Sequence, residues 1–274
     1  MAAETASAQP KITLYWLNDS RAQRIAWLLE ELGLEYDVKI FHREADMRAP
    51  AGLRKIHPLG KSPVVSIALP GDGRADQAGE EKQVVLAESG FIVQYLAEHL
   101  GRDSSLVPKR YRDGLEGQLG GETDEWMRYQ YYLHYAEGSL MPPVLVALIL
   151  RILQGPRIPF FIRPITSGVV DKLMAAYLGP EMAKHLAFLE SQLETSPGNG
   201  QYLCGQSLTA ADILMSFPLQ KALQRFAKVT AGNGKGRRIG DSFPKAWAYL
   251  KRLEEEPGYK RAEARISKEL EEKR

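Results

Sequence analysis

Two short stretches hold residue types at spacings that can do chemistry. The first runs His57-Pro58-Leu59-Gly60-Lys61-Ser62-Pro63 and leads straight into the β-branched pair Val64-Val65. An X-Pro bond in this setting can adopt cis, turning the chain sharply into a strand edge whose backbone groups stay available to an extended peptide. The second is Leu86-Ala87-Glu88-Ser89-Gly90, where a strand ends and a helical apolar pattern begins. There a carboxylate, a hydroxyl and the unpaired N–H groups of a helix start converge. Such a corner suits an α-amino acid head group: Glu88 pairs the ammonium, while Ser89 and the amides take the carboxylate. A peptide edge beside an amino-acid pocket points to a small peptide ligand. Taken singly, Ser-Pro is a turn signal and Glu-Ser a helix start.

The elements that position these residues are legible from Lys11 onward. Ile12, Leu14 and Trp16 alternate with Thr13 and Tyr15 as a strand, and Ser20 with Gln23 reads as a capping box opening a helix. Ile25, Leu28, Leu29 and Leu32 recur at helical spacing up to Gly33. Tyr36, Val38 and Ile40 form a second strand, and a short irregular helix is expected from Met47 to Ile56. Val64 to Leu69 and Gln83 to Leu86 supply two further strands, joined by a hydrophilic hairpin extension, and Phe91 to Leu100 a helix closed by Gly101.

Beyond residue 121 the strand signal disappears. Glu122 to about Leu153 reads as a helix rich in tyrosine and broken or kinked at Pro142-Pro143. The apolar, proline-rich run from Gly155 to Gly168 reads as irregular, and a helix resumes from Val169 to Glu194 with an interruption near Gly179-Pro180. In Gly205-Gln206-Ser207-Leu208-Thr209-Ala210-Ala211-Asp212-Ile213, Thr209 and Asp212 satisfy two orphan helix donors reciprocally, a role in folding rather than chemistry.

The 274 residues carry a net charge of +2, with 44% hydrophobic and 26% charged residues, a soluble globular balance. No basic stripe with interleaved aromatics suggests nucleic acid. The single Cys204 cannot form an internal disulfide, which fits a reducing compartment. Five scattered histidines show no ligand spacing, so no metal is expected. The longest apolar run, Val144 to Leu150, is too short to span a bilayer, although Leu145 to Ile165 could touch a membrane surface. A cytoplasmic location is expected, with that surface contact left open.

The Ser62-Pro63 and Glu88-Ser89 motifs, in this order after a βαβ start, resemble the glutathione site of cytosolic glutathione transferases. The fungal, yeast-type branch is similar in its Trp16-Leu17, Ser20-Arg21-Ala22, Arg48-Ala49-Pro50 and His57-Pro58-Leu59-Gly60 wording. The Thr209 to Asp212 box and the Phe243-Pro244 and Pro257-Gly258 helices repeat the resemblance. It implies an α/β plus all-α chain: a disordered lead-in at 1–10, a thioredoxin-like domain (βαβαββα) at 11–101, a linker at 102–121 and an all-helical domain at 122–274. It implies a homodimer, with glutathione as co-substrate and a small hydrophobic electrophile as partner. Lys61 then pairs the glycyl carboxylate with weaker help from His57, Ser62 before Pro63 anchors the peptide backbone, and Glu88 with Ser89 holds the γ-glutamyl end.

A cysteine thiol titrates near 8.5, so only a few per cent is thiolate at neutral pH. Lowering that value by two units requires roughly 2.7 kcal/mol of preference for the anion. A hydroxyl donating to a charged acceptor supplies about 1.5–3 kcal/mol and a helix N-terminus about 0.3–1 kcal/mol more. Three residues compete for that role. Ser20 falls on the catalytic serine of theta-like and delta-like relatives if Arg24 matches their helix arginine. Tyr15 falls where other classes place a tyrosine, and Asn18 where some fungal relatives use asparagine. The fungal branch departs from these patterns, so the three stay open. The second substrate is expected against Tyr129, Tyr132 and Tyr135, although an aromatic stripe also serves as core. Disulfide exchange is disfavoured because no cysteine lies between Trp16 and Arg21. The competing readings are a transferase-fold regulatory or scaffold protein without turnover, and a specialised glutathione-dependent lyase or isomerase.

Overall fold

A computed structural model describes residues 10–68, 83–101, 104–230 and 237–272. The expected lead-in, the polar extension between the third and fourth strands and most of the 231–240 loop lie outside the described residues. The chain forms two compact units, Met1–Arg102 with Glu256–Arg274, and Asp103–Glu255.

The first unit is thioredoxin-like. Strands β1 (Lys11–Leu17), β2 (Tyr36–Phe41), β3 (Val64–Ala68) and β4 (Gln83–Ala87) form one sheet in the order β2-β1-β3-β4. β1 and β2 run parallel, and β3 is antiparallel to both of its neighbours. Pairing sets the faces, because side chains alternate along a strand and paired residues share a side. Leu14, Val38 and Val65 are one row, while Thr13, Asp37 and Ser66 lie on the opposite side. Helix α1 (Ala22–Glu31) follows β1, and α2 (Ser89–Leu100) follows β4. α1 ends as expected at Gly33, whose φ of 63° lets Leu34 N–H reach the Leu29 carbonyl at 3.0 Å. The expected second helix is a single 3₁₀ turn at Ala51–Lys55.

The last helix, α9 (Pro257–Glu272), belongs to this first unit, whereas the sequence assigned it to the helical domain. Tyr259 meets Trp27 edge to face, and Arg261 and Arg265 reach Glu30. A Cβ at Gly258 would collide with the Glu31 carboxylate, so glycine permits this close approach.

The second unit is all helical: α3 (Asp124–Tyr135), α4 (Met141–Ile152), α5 (Arg163–Leu173), α6 (Gly179–Glu194), α7 (Ala210–Phe226) and α8 (Pro244–Glu255). α7 packs against α3, α4, α6 and α8 and is the hub of this core. Its Thr209 N-cap forms the expected box with Asp212. The expected break at Pro142-Pro143 is instead a π-helical turn, Ala136–Leu140, which joins α3 to α4 without ending the helix. A second π turn, Met174–Leu178, does the same before Gly179-Pro180. A wider turn relaxes the helical ladder where proline lacks an N–H. α5 begins at Arg163 rather than after Gly168, because Pro164 falls in its first turn, where no N–H is needed.

Candidate functional site

The sheet register gathers three chain ends at one edge. Tyr15 pairs with Val64, and Val64 with Ala87. The segments after β1, before β3 and after β4 therefore leave the sheet together, carrying Asn18 to Ser20, Lys61 to Pro63, and Glu88 to Ser89. Ser62-Pro63 is cis. The turn before it closes with Gly60 N–H on the His57 carbonyl at 2.8 Å, and Gly60 has φ +58° with no room for a Cβ against Arg54. Lys61 is exposed and His57 half-buried.

Ser20 and Ser62 come together, with their Oγ atoms 3.3 Å apart. Ser62 Oγ donates to the Tyr15 carbonyl at 3.1 Å, so the Ser20 proton points toward Ser62. Ser20 Oγ also accepts the Ala22 N–H at 3.1 Å. The Ser20–Ser62 bond is long for two hydroxyls, which prefer 2.7–2.8 Å, so its proton is readily redirected to a stronger acceptor. The expected Ser20–Gln23 capping box does not form. Asp19 turns at φ +50° and α1 starts only at Ala22, with Arg21 as a cap that makes no side-chain bond.

Tyr15, another of the three candidates, lies within β1. Its hydroxyl lies 3.3 Å from Ser66 Oγ, on the Thr13 side of the sheet, with Lys39 Nζ 5.5 Å from its ring centre. The ring packs with Leu17, Leu53 and Val64. The Asn18 side chain is held through its acceptor: its Oδ1 accepts Arg43 N–H at 2.8 Å. Arg43 was missed by sequence reasoning. Its guanidinium binds the carbonyls of Asn18, Asp19 and Met47, clamping the loop that presents Ser20.

At the third corner, Glu88 is exposed and caps α2 with φ 67° and ψ 114°, a conformation L residues avoid. Ser89 is buried and its Oγ accepts from Arg24 Nη2 at 2.8 Å. Arg24 is itself 1% exposed, so a buried guanidinium fixes the hydroxyl at the start of α2. The sequence singled out Arg24 only as a match to the helix arginine of relatives; its bond to Ser89 comes from the long-range pairing of α1 with α2.

The N-terminal domain family of glutathione S-transferases matches residues 20–99, and the C-terminal domain family residues 167–261. Glutathione S-transferase 1 of Saccharomyces cerevisiae is 39% identical over 216 residues, 79% of this chain and 82% of that protein. The chain belongs to the cytosolic glutathione transferase family. Glutathione S-transferase 3 of Schizosaccharomyces pombe is 32% identical over 208 residues, 76% of this chain and 73% of its own. A Phanerochaete chrysosporium glutathione transferase, solved with oxidized glutathione, shares the fold with a TM-score of 0.63 at 17% identity, covering 97% of this chain and 99% of that one.

In this glutathione transferase the tyrosines expected to meet the second substrate are core. Tyr129 and Tyr132 are fully buried, and Tyr135 is buried with its hydroxyl on His185 Nδ1 at 2.7 Å. Burial pushes the Tyr132 and Tyr135 hydroxyls well above the ordinary phenol range, so neither is poised as an acid at neutral pH. Tyr131, one residue before Tyr132, is half-exposed. Cys204 is buried beside Asp212, and burial pushes its thiol well above the ordinary value. It is a structural side chain, not a nucleophile. Among the described residues no group of three or more metal-ligating side chains occurs.

Proposed function

We propose that this glutathione transferase binds glutathione along the β3 edge and in the Glu88 corner, and that Ser20 holds its thiol as thiolate. The thiolate attacks an electrophilic carbon of a small apolar compound, the leaving group departs with its electron pair, and the thiol proton goes to solvent. The observation that carries this reading is the Ser20 hydroxyl beside the start of α1, weakly bonded to Ser62. When a thiolate arrives, the Ser20 proton turns to it. That exchanges a neutral hydrogen bond worth about 0.5–1.5 kcal/mol for a charged one worth about 1.5–3 kcal/mol, a net of roughly 1–1.5 kcal/mol, or about half of the 2.7 kcal/mol that a two-unit shift needs.

Around that centre, Glu88 meets the ammonium of the γ-glutamyl end, and Ser89 with the first-turn amides of α2 meets its carboxylate. The backbone of Ser62 pairs the cysteinyl unit, while exposed Lys61, with weaker help from His57, takes the glycyl carboxylate. The same thiolate can attack a hydroperoxide at its terminal oxygen, breaking the O–O bond so that the alkoxide leaves and takes a proton from solvent; the resulting glutathione sulfenic acid condenses with a second glutathione to give the disulfide and water. A homodimer belongs to the same proposal and is tested by sedimentation.

The direct test is turnover. The purified chain is mixed with glutathione and a chlorodinitrobenzene, and thioether formation is followed with calorimetric binding of glutathione in parallel. Saturable turnover with binding supports the reading. Binding without turnover for any electrophile or hydroperoxide favours the regulatory or scaffold alternative.

A further inference from the structure

The face of the sheet that carries Thr13 divides into two halves. Near the Ser20 corner, Tyr15, Leu17, Leu53 and Val64 form an apolar cluster with Phe41 and Ile56. At the opposite end, where Lys11 pairs with Ala68 and Ala68 with Gln83, the same face is polar and holds a cavity of about 200 Å³. Lys11, Thr13, Tyr15, Asp37, Lys39 and Ser66 line it. Strand alternation puts them on one side, because Thr13 pairs with both Asp37 and Ser66, and the other three stand two positions away along their strands. Thr13, Tyr15 and Ser66 are only 8%, 5% and 3% exposed, and buried polar groups are ordinarily well paired. These are loosely held. The Tyr15 hydroxyl lies 3.3 Å from Ser66 Oγ, where two hydroxyls prefer 2.7–2.8 Å. Among the described residues neither Lys11 nor Asp37 forms an ion pair, and the Lys39 ammonium meets the Tyr15 ring alone, 5.5 Å from its centre.

The donor set selects the occupant. Two ammonium groups and three hydroxyls face one carboxylate, so a ligand that completes the cavity is negative and accepts several hydrogen bonds at once. A tetrahedral oxyanion does both, and the space holds one such ion with a few waters, each of which takes about 30 Å³ in the liquid. The carboxylate then chooses among oxyanions, because it accepts hydrogen bonds and repels a bare anionic oxygen. Inorganic phosphate keeps a P–OH group at neutral pH and can donate it to Asp37. Sulfate has no hydrogen to give. A phosphomonoester has mostly lost its own, since its second proton leaves near about pH 6.

We propose that this cavity on the sheet face is a site for inorganic phosphate, with Lys11, Lys39 and the three hydroxyls donating to the ion and Asp37 accepting from its P–OH group. The site rests on the sheet register and stands independently of the glutathione reading. The test is calorimetric titration of the full chain at about pH 7.5 and constant ionic strength with sodium phosphate, sodium sulfate and glycerol 3-phosphate, each with and without saturating glutathione. The expected result is saturable binding of one phosphate per chain, unchanged by glutathione, with sulfate and glycerol 3-phosphate weaker by about tenfold. Lys39→Gln weakens phosphate by about tenfold, and Asp37→Asn, whose amide can donate to a bare oxygen, brings sulfate within about threefold of phosphate. Both positions are exposed, so neither change disturbs the core. No saturable binding of phosphate, equal binding of sulfate or glycerol 3-phosphate by the wild type, undiminished binding by Lys39→Gln, or discrimination kept by Asp37→Asn overturns the proposal. So does displacement of phosphate by glutathione, which would put the ion in the carboxylate subsite at Lys61.

Discussion

Asp212 gives the sharpest stability prediction. Its carboxylate is completely buried and accepts four hydrogen bonds. Oδ1 takes Leu203 N–H at 3.0 Å and the Tyr249 hydroxyl at 2.6 Å, while Oδ2 takes Thr209 N–H at 2.9 Å and the Thr209 hydroxyl at 2.6 Å. Asp212→Asn keeps the volume but replaces one acceptor with an amide nitrogen. Whichever way the amide turns, it faces a backbone N–H, and the adjacent hydroxyl must reverse. The stranded N–H costs about 1–3 kcal/mol, and three bonds lose their charged acceptor, partly offset by the charge that no longer has to be buried. The net loss is about 2–4 kcal/mol, or roughly 5–15 °C in Tm for a unit of this size. Tyr249→Phe, which removes one charged-acceptor bond, costs about 1.5–3 kcal/mol, and the two changes are not additive. Burial pushes the Asp212 carboxyl above its ordinary 3.8 despite its four donors. The folded state thus holds this proton more tightly than the unfolded chain. The group's contribution is full below 3.8 and falls as pH rises through the raised folded value. Calorimetric melts check both claims. A Tm within about 2 °C of wild type for Asp212→Asn would refute the bond accounting.

Glu88→Gly removes the carboxylate and also a backbone conformation that costs about 1–3 kcal/mol, set against about 0.5–1 kcal/mol for glycine's freedom when unfolded. It is expected to melt at or above the wild-type temperature while binding glutathione at least tenfold more weakly; a lower Tm contradicts the strain at this position, and retained affinity contradicts the γ-glutamyl assignment. Arg43→Ala should unclamp the Ser20 loop and lower kcat more than it raises KM for glutathione, whereas Asn18→Ala, losing one bond to Arg43 N–H, should leave kcat within about threefold. A larger kcat loss for Asn18→Ala would reopen asparagine as the activator. Burial holds His185 below its ordinary 6.5, with Tyr135 on its Nδ1 and Glu181 facing Nε2. Its stabilising contribution is complete above 6.5 and is lost as pH falls through the lower folded value. Melts of His185→Gln should lack that acid-side decline, and an unchanged pH profile would place the decline in another group.

Features settled by near neighbours in sequence were legible before the fold. The Ser62-Pro63 turn, the Thr209–Asp212 box and the glycine stop after α1 each depend on a few consecutive residues, and strand alternation located the sheet. Tyr15 shows where that reasoning ends. Alternation put it opposite Leu14, but only pairing with β2 and β3 decided which side held Ser66 and Lys39. Tyr129 and Tyr132 likewise needed the packing of α7 to become core. The arginines that set the site, Arg24 and Arg43, act across 65 and 25 residues, a distance that no local pattern reports. Pro142-Pro143 and Pro180 read as breaks because proline removes a helical donor; the π turns show that a helix can widen and continue.

The most direct test of the central claim is the ultraviolet thiolate titration of bound glutathione in wild type and in Ser20→Ala. The account predicts a bound thiol ionising about two units below the free value, and a variant in which at least one of those units is lost. A variant that keeps the full shift would show that Ser20 does not hold the thiolate.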